Sequence, residues 1–198
     1  MCYANRSHDG PVADHMTLTD KNGEIYLLRP IKPADAPSLM RGYDAMSDQA
    51  KWFRMLHTVP HLSENMAQRF CTPDPERDLC FVIEGQGALL GEILGGARIA
   101  GEDHGVAEFA VSLRPEAQTL GLAYGALEAV LHAAYRKGFT HVWGTIAVQN
   151  ATMVALARRL GFNLLRDPDD ASLLRADIEL PIRESSISIM PPVKTSWV

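Results

Sequence analysis

Residues 106–138 restrict the possible folds of this chain more than any other stretch. Residues 106–113, VAEFAVSL, alternate between an apolar and a mixed set of side chains, as a β-strand with one buried face does. Pro115 cannot donate a hydrogen bond to a β-ladder and predicts the end of this strand. Apolar residues then recur at helical spacing until Gly138, which predicts the end of a helix. We therefore predict a strand, a tight loop and a helix in succession.

The loop between this strand and helix has the features of an anion-binding site. The first amides of a helix lack partners within the helix, and the helix dipole places partial positive charge beside them. Gly121 and Ala123 carry too little side chain to keep a phosphate away from the backbone. The amides expected to face a diphosphate are those of Leu120, Gly121, Leu122, Ala123 and Tyr124. An ordinary turn that contains a glycine gives the same spacing, so both interpretations are open from the spacing alone.

Two segments of the chain resemble motifs of one known family. Pro115-x-x-Gln118-x-x-Gly121-x-Ala123 closely resembles motif A of the GCN5-related N-acetyltransferases, the GNAT family. Residues 150–162, NATMVALARRLGF, resemble a later segment of the same family, and the order and spacing of the two also agree. The resemblance extends over roughly residues 25–180. It implies an α/β fold with a mixed, mostly antiparallel sheet, a splayed parallel pair of strands, and helices on both faces.

The resemblance also implies a cosubstrate, acetyl-CoA, and residues that hold it. In this family the loop binds the pyrophosphate, and the pantetheine arm pairs with exposed backbone of the preceding strand. No metal ion is expected. Asn150 has a second possible role, because asparagine is also a good helix N-cap, and one residue can do both. The residues expected to contact the cosubstrate are Val111, Ser112, Leu113, Gln118, Thr119, Leu120, Gly121, Leu122, Ala123, Tyr124 and Asn150.

Glu108 is the candidate catalytic residue. Removing the proton from a lysine ammonium of pKa about 10.4 costs roughly 4.6 kcal/mol at pH 7, and a nearby carboxylate can accept that proton. Apolar neighbours would raise the pKa of Glu108 and make it a better base. Residues 107–111 and 153–162 resemble bacterial Pat-type protein-lysine acetyltransferases, in which the equivalent glutamate is taken as catalytic. The alternative is a solvated glutamate or one that forms a salt bridge with Arg98.

One position departs from the family pattern. Many members have a tyrosine general acid seven residues after the motif asparagine, and Ala157 occupies that position here. A thiolate is a fair leaving group, since a thiol has a pKa near 8.5, so the reaction needs little help from an acid. Cys80 could serve in principle, although a cysteine in a strand is usually part of the core.

These features predict an N-acetyltransferase that moves an acetyl group from acetyl-CoA to a primary amine by direct attack. The acceptor is either a protein lysine or a small molecule. A non-catalytic acyl-CoA-binding sensor is the alternative from another class. A doubly wound dinucleotide-binding fold is disfavoured, because the loop lacks a leading G-x-G.

Composition sets the remaining limits. A chain of 198 residues is expected to form one domain, which we predict over residues 24–181. Residues 1–23 are predicted to be a mobile leader or a loose hairpin, and residues 182–198 a tail. The net charge of −5 argues against nucleic-acid binding, and no apolar run approaches the roughly 18 residues of a membrane span. Three cysteines without metal or disulfide spacing, and no visible secretory signal, predict a cytoplasmic location. Edge strands in the predicted closing hairpin and the mostly apolar residues 187–190 leave both a monomer and a homodimer open.

The rest of the chain predicts further strands and helices that would complete the sheet. The predicted strands cover residues 25–31, 78–85, 89–101 and 140–148, with a closing hairpin over 163–168 and 172–180. The predicted helices cover residues 33–46, 47–56 and 62–70, and a last helix begins at Asn150. Ser47 and Ser63 are expected to cap the second and third of these helices.

Overall fold

The computed structural model describes residues 15–181 and 196–197. Within this part, nine strands form one sheet in the order β7-β8-β6-β5-β4-β3-β2-β1-β9. The strands are β1 Met16–Thr19, β2 Ile25–Pro30, β3 Leu79–Glu84, β4 Ile93–Gly101, β5 Val106–Leu113, β6 His141–Ala147, β7 Asn163–Arg166, β8 Leu173–Glu179 and β9 Ser196–Trp197. The α-helices are α1 Ala36–Asp44, α2 Asp48–Met55, α3 Glu64–Cys71, α4 Leu122–Lys137 and α5 Ala151–Arg159.

The sheet is antiparallel between all described neighbours except β5 and β6, which run parallel. Their pairing ends at Glu108 and Trp143, although β5 continues along β4 as far as Leu113 and β6 continues along β8 as far as Ala147. The two strands therefore separate towards their carboxyl ends. The predicted mixed sheet with a splayed parallel pair is confirmed.

Phe109 lies where β5 and β6 begin to separate. A Cβ at Gly144 of β6 would lie 2.7 Å from the Phe109 ring, so this position has no room for a side chain. The same ring packs against Phe162, with ring centroids 4.8 Å apart. The aromatic pair fills the base of the opening between the strands on the face that belongs to the core.

Helix α4 packs on one face of the sheet, where it contacts β1, β3, β4 and β5, while α1 and α2 lie beside β4 and β5. Of the ten buried residues of α4, seven are alanines or leucines, and the small alanines let the helix approach the sheet closely. Gly138 ends α4 in the left-handed conformation, as predicted, and its amide donates back to Ala134 and Tyr135. The predicted N-caps are also confirmed: Ser47, Ser63 and Asn150 each accept a backbone amide of their helix.

The first described strand belongs to the segment that the sequence analysis assigned to a leader. Met16 and Leu18 are fully buried, and β1 forms an antiparallel hairpin with β2. Asp20 closes the turn, because its Oδ1 accepts the amides of Asn22 and Glu24 at 2.8 and 2.9 Å. Of the two expectations for this segment, a mobile leader is wrong for residues 16–23 and a hairpin is what forms. Residues 1–14 lie outside the described residues.

The other end of the sheet also differs from the expectation. Residues Ser196–Trp197 form β9, which pairs antiparallel with β1, although we predicted only a tail there. A four-residue strand such as β1 and a two-residue strand such as β9 are too short for their own pattern to identify them. Residues 182–195 and 198 lie outside the described residues.

Candidate active site

The opening between β5 and β6 is the centre of the candidate site. The edge of β5 that faces β6 loses its strand partner after Glu108, so residues 109–113 present backbone groups to the opening. On their other edge, Val111, Ser112 and Leu113 pair with Ala97, Gly96 and Gly95 of β4. An extended ligand could therefore pair with the free edge of β5 as a strand would. The structure brings the three predicted pantetheine contacts together at this edge.

The predicted anion loop follows β5 directly. A 3-10 turn over Pro115–Ala117 leads to Thr119 and Gly121, which have φ values of 66° and 88°. Positive φ is a genuine outlier for a β-branched residue such as Thr119, and strain of this kind concentrates at ligand sites. Helix α4 then begins at Leu122, with Gly121 as its N-cap.

Five consecutive amides in this loop lack partners among the residues that the structure describes. Within the described part of the chain, no group accepts a hydrogen bond from the amides of Thr119, Leu120, Gly121, Leu122 and Ala123. The helix dipole adds partial positive charge at the same place. The geometry thus supplies a row of donors for a diphosphate at the open end of the β5–β6 gap.

Gln118 and Tyr124 flank these amides but differ from them. The Gln118 amide donates to the Pro115 oxygen at 3.2 Å, and the Tyr124 amide donates to the Gly121 oxygen at 3.1 Å. The Tyr124 amide thus already has an acceptor within the chain, and its contact with a diphosphate stays a prediction. The Tyr124 phenol is buried and donates to Glu128 Oε1 at 3.1 Å, so its side chain braces α4.

Asn150 begins α5 just after β6, at the same end of the gap as the loop. Its Oδ1 accepts the Met153 amide at 3.1 Å, which makes it the N-cap of α5. The side-chain nitrogen Nδ2 is not used in this cap. The cap role is confirmed, and the role towards the pantetheine arm stays a prediction.

Glu108 lies at the base of the gap, opposite Trp143. The residue is exposed, yet the protein around its carboxyl group raises its pKa, first by desolvation and then through Glu102, while Arg54 and Arg98 act in the opposite direction. The alternative salt bridge to Arg98 does not form, because Arg98 Nη2 donates to Asp78 Oδ2 at 2.6 Å. No described residue donates a hydrogen bond to the Glu108 carboxylate.

A cavity of about 100 Å³ lies on the same face of the sheet as the Glu108 side chain. Cys80, Arg98 and Ala110 are direct cross-strand neighbours on β3, β4 and β5, and Ala110 and Glu108 share a face because they are two residues apart. All three neighbours line the cavity, and α1 and α2 close it from above with side chains that include Tyr43 and Arg54.

One thiol, that of Cys80, lines the cavity. Burial raises the pKa of Cys80 to about 11, even though Arg98 and Arg54 act to lower it. A cysteine with this pKa is protonated at pH 7 and is a poor nucleophile. Because Cys80 is only partly buried, the core interpretation and the role as an acid both stay predictions.

Sequence reasoning missed two neighbours of the site. The backbone amide of Lys21, in the β1–β2 turn, donates to the Leu120 oxygen at 3.1 Å and so supports the anion loop from the side. Arg54 of α2 lines the cavity, although nothing in the local pattern of α2 distinguished it. Both depend on contacts between segments that are distant in the chain, and no local sequence signal reports such contacts.

The described residues contain no group of three or more His, Cys, Asp or Glu side chains arranged to hold a metal ion. No helix in the described ranges has both the length and the apolar character of a membrane span.

Comparison with known proteins identifies the family. A sequence model of the acetyltransferase (GNAT) domain matches residues 26–163. The chain therefore belongs to the GNAT family, and it is an acyltransferase. An acetyltransferase of Pseudomonas aeruginosa is 26% identical over 160 residues, which are 80% of this chain and 86% of that protein.

Two solved structures show the same fold. The GNAT domain of S. lividans PAT superposes with a TM-score of 0.78 at 22% identity, over 87% of this chain and 100% of that one. RimJ of Mycobacterium smegmatis, solved in complex with CoA-disulfide, gives a TM-score of 0.64 at 22% identity, over 87% of this chain and 92% of that one.

Proposed function

We propose that this chain is an N-acetyltransferase that moves an acetyl group from acetyl-CoA to a primary amine, with Glu108 as the general base. The observation that carries the proposal is the row of unpartnered amides of residues 119–123 at the open end of the β5–β6 gap. These amides would hold the diphosphate, and the free edge of β5 would pair with the pantetheine arm. Acetyl-CoA would supply the activated thioester and leave as the CoA thiolate, while the chain would supply position and proton transfer.

Glu108 would accept the proton that an ammonium must lose before its nitrogen can attack. Its raised pKa brings it closer to the neutral pH at which a base transfers protons efficiently. Backbone amides at the free edge of β5 would donate to the carbonyl oxygen as it gains negative charge. Ala157 is fully buried and has no proton to give, so the thiolate would leave without a side-chain acid at that position.

Two acceptor classes are supported by different observations. The resemblance of residues 107–111 and 153–162 to Pat-type enzymes favours a protein lysine. The cavity of about 100 Å³ beneath α1 and α2 favours a small amine instead. A turnover screen against both classes, read by release of free thiol, separates them.

The variant Glu108→Gln tests the assigned base. A general base contributes roughly 10²–10⁴-fold to the rate, so kcat should fall by at least about 100-fold. Stabilisation of the protein by CoA should be retained, because Glu108 lies away from the loop that would hold the diphosphate. Glu179→Gln, which changes an exposed glutamate on β8, is the matched control and should keep full turnover.

Two results would contradict parts of the proposal. If Glu108→Gln keeps the wild-type turnover, the base is another group. If the wild-type chain is stabilised by CoA but transfers acetyl to no acceptor in the screen, the non-catalytic sensor becomes the better description.

A further inference from the structure

Three arginines line the cavity beneath α1 and α2, and two of them have carboxylate partners. Arg98 Nη2 donates to Asp78 Oδ2 at 2.6 Å, and Arg114 Nη2 donates to Glu92 Oε2 at 2.8 Å. Arg54 is the third, and no hydrogen bond or ion pair joins its guanidinium to any residue that the structure describes. The cavity therefore contains a cation whose donors are unused.

The surroundings make an unused guanidinium costly. The cavity walls are mainly apolar and include Met46, Met55, Leu62 and Phe70. Desolvation is the main cause of a lowered pKa at Arg54, but arginine stays charged in proteins, so a partly buried charge remains among apolar walls. A charged group of this kind is stabilised when an anion with matching geometry enters.

Two other guanidinium groups in the cavity lining each have one donor without an acceptor. Arg98 Nε and Arg114 Nε are both buried and find no acceptor within the described part of the chain. Arg98 lies on β4 directly opposite Ala110 of β5, which also lines the cavity. Arg54 and Arg98 thus both line one small cavity and both have N–H groups without an acceptor in the described part of the chain.

We propose that Arg54 binds a carboxylate on the group that enters this cavity, carried by either the acyl donor or the acceptor amine. This inference rests on the proposed transferase function. A guanidinium binds a carboxylate with two parallel N–H···O bonds, which suits a planar anion better than a neutral amide. The cavity volume of about 100 Å³ is several times the roughly 10–15 Å³ that one water requires on this measure, so a short carboxylate-bearing chain can enter.

The charged groups around Arg54 leave one competing explanation. Asp78 is bound to Arg98, Glu92 is bound to Arg114, and the Cys80 thiol is protonated at neutral pH. Glu108 is the remaining acidic group with an electrostatic effect on Arg54, and it forms no ion pair with it. If Arg54 served only to keep Glu108 ionised, its removal would affect every substrate equally.

The experiment compares Arg54→Gln with Arg69→Gln, which removes the same charge from an exposed position on α3. The donor arm measures the affinity of succinyl-CoA against acetyl-CoA by calorimetry. The acceptor arm measures KM for 4-aminobutyrate against butylamine with acetyl-CoA, and calorimetric binding of the same pair without CoA. The pH profile of kcat/KM is recorded for each variant.

In one arm, the wild type and Arg69→Gln should both prefer the carboxylate-bearing compound by at least about tenfold. The reason is that removal of one partner from a buried, hydrogen-bonded charge pair weakens binding strongly. Arg54→Gln should abolish that preference and change the affinity for the uncharged member of the pair by less than about threefold. The arm that shows the loss identifies the source of the carboxylate.

Three results would overturn the inference. The wild type could bind both members of each pair equally, or the carboxylate preference could survive in Arg54→Gln. The third is that Arg54→Gln loses kcat uniformly for all substrates and that the acid limb of its kcat/KM profile shifts. Failure of the proposed function can be told apart from failure of this inference, because the wild type would then not bind CoA. The calorimetric measurement of the acceptor pair without CoA would still test Arg54 in that case.

Discussion

The two glycines that bound α4 offer a controlled test of the anion loop. Gly121 at the start of the helix and Gly138 at its end have φ values of 88° and 101°, and a Cβ at either position would meet no atom within 4 Å. The variants Gly121→Ala and Gly138→Ala therefore impose the same kind of backbone strain without a clash. Only Gly121 belongs to the loop proposed to bind the diphosphate.

The effect on stability should be similar for both variants. A non-glycine residue in the left-handed region costs roughly 1–2 kcal/mol. For a chain of this size, 1 kcal/mol shifts Tm by roughly 2–4 °C, so each variant should melt about 2–8 °C below the wild type in the absence of ligand. Differential scanning fluorimetry measures both shifts under one set of conditions.

The effect on CoA binding should separate the variants. A methyl group at Gly121 would meet no atom of the described chain within 4 Å, and beside the free amides we expect it to hinder the approach of a phosphate oxygen. Hydrogen bonds to charged groups are worth roughly 1.5–3 kcal/mol, so the loss of one weakens affinity by about tenfold or more. Calorimetry should show this loss for Gly121→Ala and wild-type affinity for Gly138→Ala. Equal CoA affinities in the two variants would refute the assignment of this loop.

Two further predictions concern pH. Folding raises the pKa of Glu108 above its ordinary 4.5, so the unfolded chain loses this proton at a lower pH than the folded chain does. The stability of the fold therefore falls as pH rises from 4.5 through the raised pKa. Glu108→Gln should therefore match the Tm of the wild type near pH 4 and exceed it at pH 7. The acid limb of the wild-type kcat/KM profile should lie above pH 4.5 and should be absent in this variant. A Tm of Glu108→Gln below that of the wild type at pH 7 would contradict the raised pKa. Hydrogen bonds from Arg41, and then from Arg114 and Ser38, lower the pKa of Glu92 from 4.5 to about 2, so this residue stabilises the fold above pH 4.5 and the contribution is lost as pH falls towards 2. Glu92→Gln should lower Tm at pH 7 and flatten the decline of Tm below pH 4.5, and an unchanged profile by circular dichroism would refute this role.

The sequence predicts the centre of the fold well because several local signals there agree. Pro115 restricts the backbone, and Gly121 and Gly138 permit the left-handed conformation, so the observed strand, loop and helix begin and end beside these residues. Asn150 is similar, since its capping role depends only on the next three residues. Local chemistry is sufficient at these positions.

Other features depend on distant partners, and the sequence does not predict them. Strand β1 is stabilised by β2 on one edge and by β9 on the other, and β9 comes from the far end of the chain. Arg54 stands among apolar residues of α2, and only the packing of α2 over β5 brings it to the cavity. The pairing of Arg98 with Asp78 instead of Glu108 is likewise set by tertiary structure.

Hydrogen exchange tests the central claim most directly, because it reports on the amides themselves. CoA should slow exchange at the amides of residues 119–123, which have no partner among the described residues, whereas pantetheine, which lacks the diphosphate, should not. If CoA leaves exchange in this loop unchanged, or protects it no better than pantetheine does, the loop is not the diphosphate site and the proposed orientation of the cosubstrate is wrong.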